Sequence, residues 1–381
     1  MVFRFMLPTK LLFGAGSLNQ LGKEASKLGK KAMIVTGSSS MRKTGVLDRV
    51  TEDLKSNGLE VVVFDKIQPN PRDYTIDEAA KIVREEKVDL IIGLGGGSSM
   101  DASKAIALAS SGIEPIWAYY EGKADAKGGV PSIVLVPTVA ATGSEANPFA
   151  VVTHWDTGDK KGMGSRFMTA KVSIIDPELT FTLPARQTAQ GGVDIICHVV
   201  EEYLTTANPS PVTDGIAETV IKTSIEYLPK ALAKLDDLEA RTNLLWASTV
   251  ACSQFHELGQ GIENGYRTLH EIEHALSGFY DIAHGDGLAA LLPAWMRFTL
   301  PAREERFKLL AKNVFGTDDA IKSMEEWLDK VNMHLRLRDI GIGEDKFEAM
   351  ADSAIRMGFG IDKHPRTLDA AAIAQIYRDS Y

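Results

Sequence analysis

The first part of the chain alternates short apolar runs with amphipathic stretches. KAMIVTG (31–37), EVVVFD (60–65), VDLIIGLGGG (88–97), PSIVLVPT (131–138) and KVSIIDP (171–177) are rich in Val and Ile and stop at Gly, Pro, Asp or Thr. Their length and β-branched content predict buried strands, because a run that is apolar at every position has no solvent-facing side. Helical periodicity falls between them, at 42–57, 76–87 and 98–111. Alternation of this kind predicts a mostly parallel sheet covered on both faces.

After DPELTFTLPARQTAQ (176–190) the rhythm changes. Long amphipathic stretches follow near 190–206, 211–235, 239–258, 262–279, 284–299, 301–314, 318–335 and 345–357, with Leu, Ala, Glu and Lys in place of Val and Ile. The expectation is an α/β domain over 1–184 and an all-helical domain over 185–381, hinged near Pro184. A chain of 381 residues accommodates two such cores. No repeat or low-complexity tract interrupts either.

Composition narrows the function. With 44% hydrophobic and 24% charged residues this is a soluble globular type. A formal net charge of −9 argues against nucleic acid as partner, since phosphates call for a basic face. Two cysteines, Cys197 and Cys252, exclude a disulfide framework and fit a reducing, cytoplasmic setting. Both lie in apolar helical patterns, although Cys197 adjoins His198 and is a thiolate ligand to be considered. The N-terminal run MVFRFMLPTKLLFGAG is broken by Arg4, Pro8 and Lys10, unlike a signal peptide, and no window approaches the roughly 20 apolar residues of a membrane span.

Two strand ends carry glycine: TGSSSMRKTG (36–45) and GLGGGSSMDASK (93–104). In open α/β sheets ligands bind beyond the carboxyl ends of strands, where glycine lets a backbone approach a pyrophosphate. GGGSSMD joins Gly95, Gly96 and Gly97 to Ser98 and to Asp101, expected in the first turn of the following helix; a plain N-terminal helix charge is the structural alternative for Asp101. Neither stretch is a G-x-G-x-x-G or a G-x-x-x-x-G-K-[ST] loop. At the first turn Gly37, Ser38, Ser39 and Ser40, followed by Arg42 and Lys43, offer hydroxyls and cations and no carboxylate. That favours NADP over NAD.

The metal chemistry lies further on. Asp194 and His198 are four apart in GGVDIICHVVEEY (191–203), on one helical face. His270, His274 and His284 lie in HEIEHALSGFYDIAH (270–284). Each histidine alone would be read as a hydrogen-bonded core residue, but the grouping points to a divalent metal such as iron or zinc. His154, His256, His334 and His364 lack such company. H-E-x-x-H also occurs in zinc peptidases, where the Glu activates water. Ser277 stands where the extended peptidase motif has glycine, the third histidine comes too late, and a nucleotide sheet precedes it.

Taken in order and spacing, GGGSSMDASK (95–104), PTVAATGSEAN (137–147), IIDPELTFTLP (174–184), GGVDIICHVVEEY and HEIEHALSGFYDIAHGDGLAALLPAWM (270–296) resemble the iron-containing alcohol dehydrogenase family, nearest its butanol dehydrogenase and aldehyde reductase branch. The resemblance implies a Rossmann-like domain followed by an all-α domain, the dehydroquinate synthase-like fold. It implies Asp194, His198, His270 and His284 as metal ligands, Fe2+ first and Zn2+ as alternative, with His274 facing the cleft as a proton relay. It carries cofactor contacts to Gly95, Gly96, Gly97, Ser98, Asp101, Thr138, Thr142, Ser144, Lys160 and Leu179, with Asp101 also counted as catalytic. NAD-using members tend to have Asp where this chain has Gly37, and Ala141 replaces a common glycine.

The implied reaction is hydride transfer between NADP(H) and a primary alcohol or aldehyde. Asn147, Phe149 and Phe255 are pocket candidates for an aliphatic chain. Alternatives on the same fold are an NAD-dependent polyol dehydrogenase and a dehydroquinate synthase-type lyase, the latter usually with Glu where Asp194 stands; a nucleotide-binding module without chemistry is the third. A homodimer is expected, with FRFMLPTKLLFG as an edge strand at its axis.

Overall fold

The structure is a computed structural model that describes residues 5–126, 128–255 and 267–381. His256 and the predicted helix ends at 258 and 262 lie outside the described residues. The chain divides into two compact units, Leu7–Leu183 and Pro184–Tyr381, with Phe5 and Met6 belonging to the second.

The first unit holds strands β1 (Lys10–Phe13), β2 (Lys31–Gly37), β3 (Glu60–Ile67), β4 (Leu90–Gly95), β5 (Ser132–Pro137), β6 (Phe149–His154), β7 (Asp159–Gly164) and β8 (Val172–Ile175). Its helices are α1 (Leu21–Ala25), α2 (Ser40–Lys43), α3 (Val46–Ser56), α4 (Asp73–Glu85), α5 (Gly97–Ser110) and α6 (Ile116–Tyr120). Six strands form a parallel sheet in the order β1-β8-β5-β4-β2-β3, while β6 and β7 make an antiparallel pair apart from it. The continuous apolar runs are explained by the two cores. Met33, Val35, Ile91 and Leu135 pack with α4 and α5 residues such as Ile76 and Ile106. The alternate positions Ile34, Ile92, Val134 and Ile174 pack with Leu21, Leu47 and Leu54 on the opposite face. Strands β2, β4, β5 and β8 thus bury both of their sides, whereas EVVVFD, expected as a buried strand, lies at the sheet edge in β3 and leaves Val63 exposed.

The strand order locates the ligand end. From β2 the chain moves outward to β3, and from β4 it moves the other way to β5. The sheet therefore changes winding direction between β2 and β4, and their carboxyl ends flank the crevice where open α/β sheets bind nucleotides. Gly37 and Gly95 are the last residues of those two strands.

The second unit holds α7 (Ala185–Thr205), α8 (Pro211–Ala233), α9 (Leu238–Cys252), α10 (Thr268–Tyr280), α11 (His284–Thr299), α12 (Glu304–Leu310), α13 (Ala320–Lys330), α14 (Phe347–Met357) and α15 (Ala370–Asp379), and no strand among the described residues. Helix α7 is buried along most of its length, from Gly191 to Thr205 without a break. The stretch predicted as one helix over 301–314 is instead α12 followed by a wide turn, Ala311–Phe315, which ends at the left-handed Gly316. Strands β6 and β7 and helix α15 have no counterpart among the predicted elements. DKKGMG has neither β-branched residues nor alternation, and it becomes a strand only through its pairing with FAVVTH.

Candidate metal centre and nucleotide turns

On α7, Asp194, His198 and Glu201 follow one another at helical spacing and line one face. On α10, His270 and His274 are one turn apart with Glu273 beside them. Asp281 then takes a left-handed conformation (φ 50°), stopping α10 and reversing the chain so that His284 opens α11. Short Asx-type side chains tolerate that conformation better than most.

These elements bring four predicted residues together. Asp194 Oδ1 lies 3.2 Å from His198 Nε2, 3.3 Å from His270 Nε2 and 3.9 Å from His284 Nε2. The His198 and His270 rings stack at 4.2 Å. Ligand atoms of Asp194, His270 and His284 all fall within 4.8 Å of one another, and so do those of Glu273, His274 and His284.

Two carboxylates absent from the predicted set explain the ring orientations. Glu201 accepts a hydrogen bond from His270 Nδ1 and also from the backbone N–H of Leu269 (2.6 Å) and of His270 (3.2 Å). Glu273 accepts from His284 Nδ1 and from the Ser277 hydroxyl (3.2 Å). Both carboxylates are fully buried. A carboxylate only accepts, so each ring carries its hydrogen on Nδ1 and presents Nε2 toward Asp194. The second trio, Glu273 with His274 and His284, is thus built on a histidine–carboxylate hydrogen bond.

The arrangement fits a divalent metal. An imidazole nitrogen aimed at a carboxylate oxygen needs a proton or a metal ion between the two. Bonds of about 2.1 Å in tetrahedral geometry separate neighbouring ligand atoms by about 3.4 Å, close to the spacings on Asp194. Asp194, Glu201 and Glu273 also bury three negative charges in one place, which calls for positive charge to offset them. Burial disfavours the imidazolium of His270, yet Glu201 and Asp194 outweigh it and hold its pKa up at about 9. A metal would take the place of that proton. Cys197 remains a thiol, because burial first, and then Glu201, Asp194 and Glu273, push its pKa well up. His274 is 7% exposed, its Nδ1 makes no hydrogen bond, and Glu271 Oε2 lies 3.8 Å from that nitrogen.

In the Leu7–Leu183 unit the turn after β4 is held by local packing. Gly95 has φ 144°, which side chains rarely adopt, and a Cβ on Gly97 would sit 2.6 Å from Thr142 Cγ2. Thr138 donates its backbone N–H to Gly95 O (3.0 Å). Helix α5 begins at Gly97, so Asp101 is its fifth residue, beyond the first turn where it was expected. Its two oxygens accept the Ser144 hydroxyl (2.6 Å) and the Val151 N–H (2.9 Å). Beside it the fully buried Lys104 donates to Ser144 O (2.5 Å), Ser144 Oγ (2.7 Å) and Phe149 O (2.7 Å). Its signal in the sequence was a lone cation in the apolar stretch that follows Ser103. Lys160 is also buried and donates to Asn70 Oδ1 (2.9 Å), with Asn70 in a left-handed conformation. Leu179 is buried in a short turn, Pro177–Thr180. Ser98 lies in α5, while Ser38, Ser39 and Ser40 follow Gly37 into α2. Of the pocket candidates, Phe149 and Phe255 are exposed and the Phe255 ring lies tilted against Phe5 at 4.6 Å, whereas Asn147 accepts from Lys104 Nζ (3.2 Å).

A parallel sheet with glycine turns at its switch point, and an Asp–His cluster on buried helices, are the features of an enzyme that uses a metal and a nucleotide. Residues 8–177 match the family model for iron-containing alcohol dehydrogenase, and residues 188–381 match that of the Fe-containing alcohol dehydrogenase C-terminal region. NADH-dependent butanol dehydrogenase A of Clostridium acetobutylicum is 37% identical, covering 100% of this chain and 99% of its own. NADPH-dependent aldehyde reductase YqhD of Escherichia coli is 33% identical over 97% of each. The crystal structure of NADH-dependent butanol dehydrogenase A from Thermotoga maritima superposes with a TM-score of 0.93 at 34% identity, covering 99% of this chain and 98% of that one. The chain belongs to the iron-containing alcohol dehydrogenase family and is an oxidoreductase.

Proposed function

We propose that the chain is an NADP(H)-linked alcohol dehydrogenase and aldehyde reductase for primary, butanol-like alcohols, with ferrous iron held by Asp194, His198, His270 and His284. The convergence of three imidazole Nε2 atoms on Asp194 Oδ1 carries the reading. The substrate class is supported by the names of the butanol dehydrogenase and aldehyde reductase relatives. When bound, the metal supplies Lewis acidity toward the substrate oxygen and the nicotinamide exchanges the hydride.

The remaining work belongs to the protein. Glu201 and Glu273 fix the tautomers of His270 and His284. His274, whose Nδ1 makes no hydrogen bond, is the proton relay for the substrate oxygen. Gly95, Gly96, Gly97 and Ser98 seat the pyrophosphate on the N-terminus of α5, assisted by Thr138, Thr142, Lys160 and Leu179. Asp101, expected as a catalytic and cofactor-binding residue, accepts the Ser144 hydroxyl and sets the position of Ser144. Gly37, Ser38, Ser39 and Ser40 leave room for a 2′-phosphate. A Cβ on Gly37 would meet only Ile67 O at 3.5 Å, an ordinary contact, so the fold does not itself demand glycine there. A reducing cytoplasmic setting accords with the two buried free cysteines, and a homodimer with β1 at the sheet edge.

The test follows NADPH absorbance with butanal and a panel of short aldehydes, before and after chelation and after addition of Fe2+ or Zn2+. Activity is expected to vanish on chelation and return with metal. Absence of metal-dependent NADPH oxidation with every aldehyde would overturn the reading. His270→Ala should lose metal and activity together, whereas His274→Ala should keep its metal and turn over slowly.

A further inference from the structure

A dinucleotide with its pyrophosphate at the β4 turn extends its adenosine ribose over the neighbouring strand β2. The order β4-β2-β3 therefore places three features in a row: the Gly95–Gly97 turn, Gly37, and the end of β3. At that end the pairing slips. Val35 faces Phe64 but Gly37 faces Ile67, so Asp65 and Lys66 together oppose Thr36 alone. An extra residue of this kind, rare between parallel strands, re-aims the side chains it carries. Here Lys66 turns to Glu78 (2.5 Å), while Asp65 reaches Arg42 on α2. The guanidinium is gripped twice by one oxygen, Nε at 2.7 Å and Nη2 at 2.6 Å from Asp65 Oδ2. The side chains remain 53% and 29% exposed, within reach of a ligand.

We infer that Asp65 is a coenzyme-discriminating residue: it occupies the cation that would receive a 2′-phosphate at the open Gly37 turn, and so restrains NADP(H) without excluding it. The inference rests on the proposed seating of the 2′-phosphate at that turn. Arg42 must exchange a carboxylate for the phosphate, and Asp65 then faces a dianion. A ribose bearing only hydroxyls asks for neither change, so NAD(H) is admitted as well. Relatives named for NADH and for NADPH both accord with a turn poised in this way.

Two fragments read the pair without the metal or the reaction: 2′,5′-ADP and 5′-AMP, titrated calorimetrically into the full-length protein. Asp65→Asn should bind 2′,5′-ADP about tenfold tighter, since it frees the guanidinium and removes a like charge. Its affinity for 5′-AMP should be unchanged. Arg42→Gln should bind 2′,5′-ADP about tenfold more weakly, with thermal midpoints showing that each variant is folded. If Arg42→Gln weakens binding and Asp65→Asn does not tighten it, the role given to Asp65 is wrong and the seating of the phosphate stands. If neither Arg42→Gln nor Gly37→Asp alters 2′,5′-ADP binding, that seating is itself wrong. Loss of 5′-AMP affinity in Asp65→Asn would also overturn the inference, making Asp65 an acceptor for the ribose hydroxyl.

Discussion

Taking away the Glu273 carboxylate removes the acceptor of the His284 Nδ1 hydrogen, so Nε2 is less firmly committed to Asp194. Glu273→Ala is expected to weaken metal binding about 10–100-fold, while Glu273→Gln, which can still accept, stays near wild type in a chelator competition. Equal loss in both would mean that charge, not orientation, is what Glu273 contributes. The sequence showed the histidines but not these partners, for a physical reason. Glu201 is three residues from His198 yet serves His270 on another helix, a pairing that no local spacing encodes. His364 gives a second prediction. Burial pushes its pKa down to about 4, and its ring nitrogens lie 3.1 Å from Thr299 Oγ1 and 3.0 Å from Arg366 O. The unfolded chain takes up this proton near its ordinary value of 6.5. Stability is therefore complete above that pH and falls as pH drops toward 4. Between pH 7 and pH 5 the loss should be about 2 kcal/mol. Denaturant titrations of His364→Gln should show a shallower pH dependence.

At the scale of elements, α7, α8 and α12 are tied by one cation. Arg306 makes a paired contact with Asp214 (2.7 and 2.8 Å), donates to Tyr203 O (2.7 Å) and lies over the Tyr203 ring at 4.0 Å. Tyr203 in turn donates to Glu218 (2.9 Å), which also accepts from Asn313 (2.8 Å). Arg306→Met leaves Asp214 without its partner and should cost about 3–5 kcal/mol in urea unfolding. Adding Asp214→Leu should restore part of that, because both charges are then gone. Periodicity reveals a helix but not the network that docks it. Strands were legible where both faces are buried, as in KAMIVTG, and illegible where pairing alone makes them, as in β7. Lys104 stood out in the sequence as a lone cation in the apolar part of α5, but the Ser144–Phe149 segment that it holds could not be read from that.

Across the whole molecule the two proposed ligands fall on separate compact units, the nucleotide on Leu7–Leu183 and the metal on Pro184–Tyr381. This division follows from the chemistry of each end. Phosphate is received by backbone N–H groups at strand ends, which a parallel sheet with helices supplies in a row. Imidazoles and carboxylates need rigid, buried helices to converge on one point, as α7, α10 and α11 do. A ligand stabilises the unit that binds it by RT ln(1 + [L]/Kd), about 2.7 kcal/mol at a hundred times Kd. Hydrogen exchange on the full-length protein can tell where that stabilisation is felt. Zn2+ alone should slow exchange in α7 and α10 and leave the β2 and β4 amides as they were. With 2′,5′-ADP alone, the slowing should appear at the ends of β2 and β4 and spare α10. Protection of all these elements by either ligand would mean that the units open as one, and the stability of the metal centre would then depend on the nucleotide as much as on its own ligands.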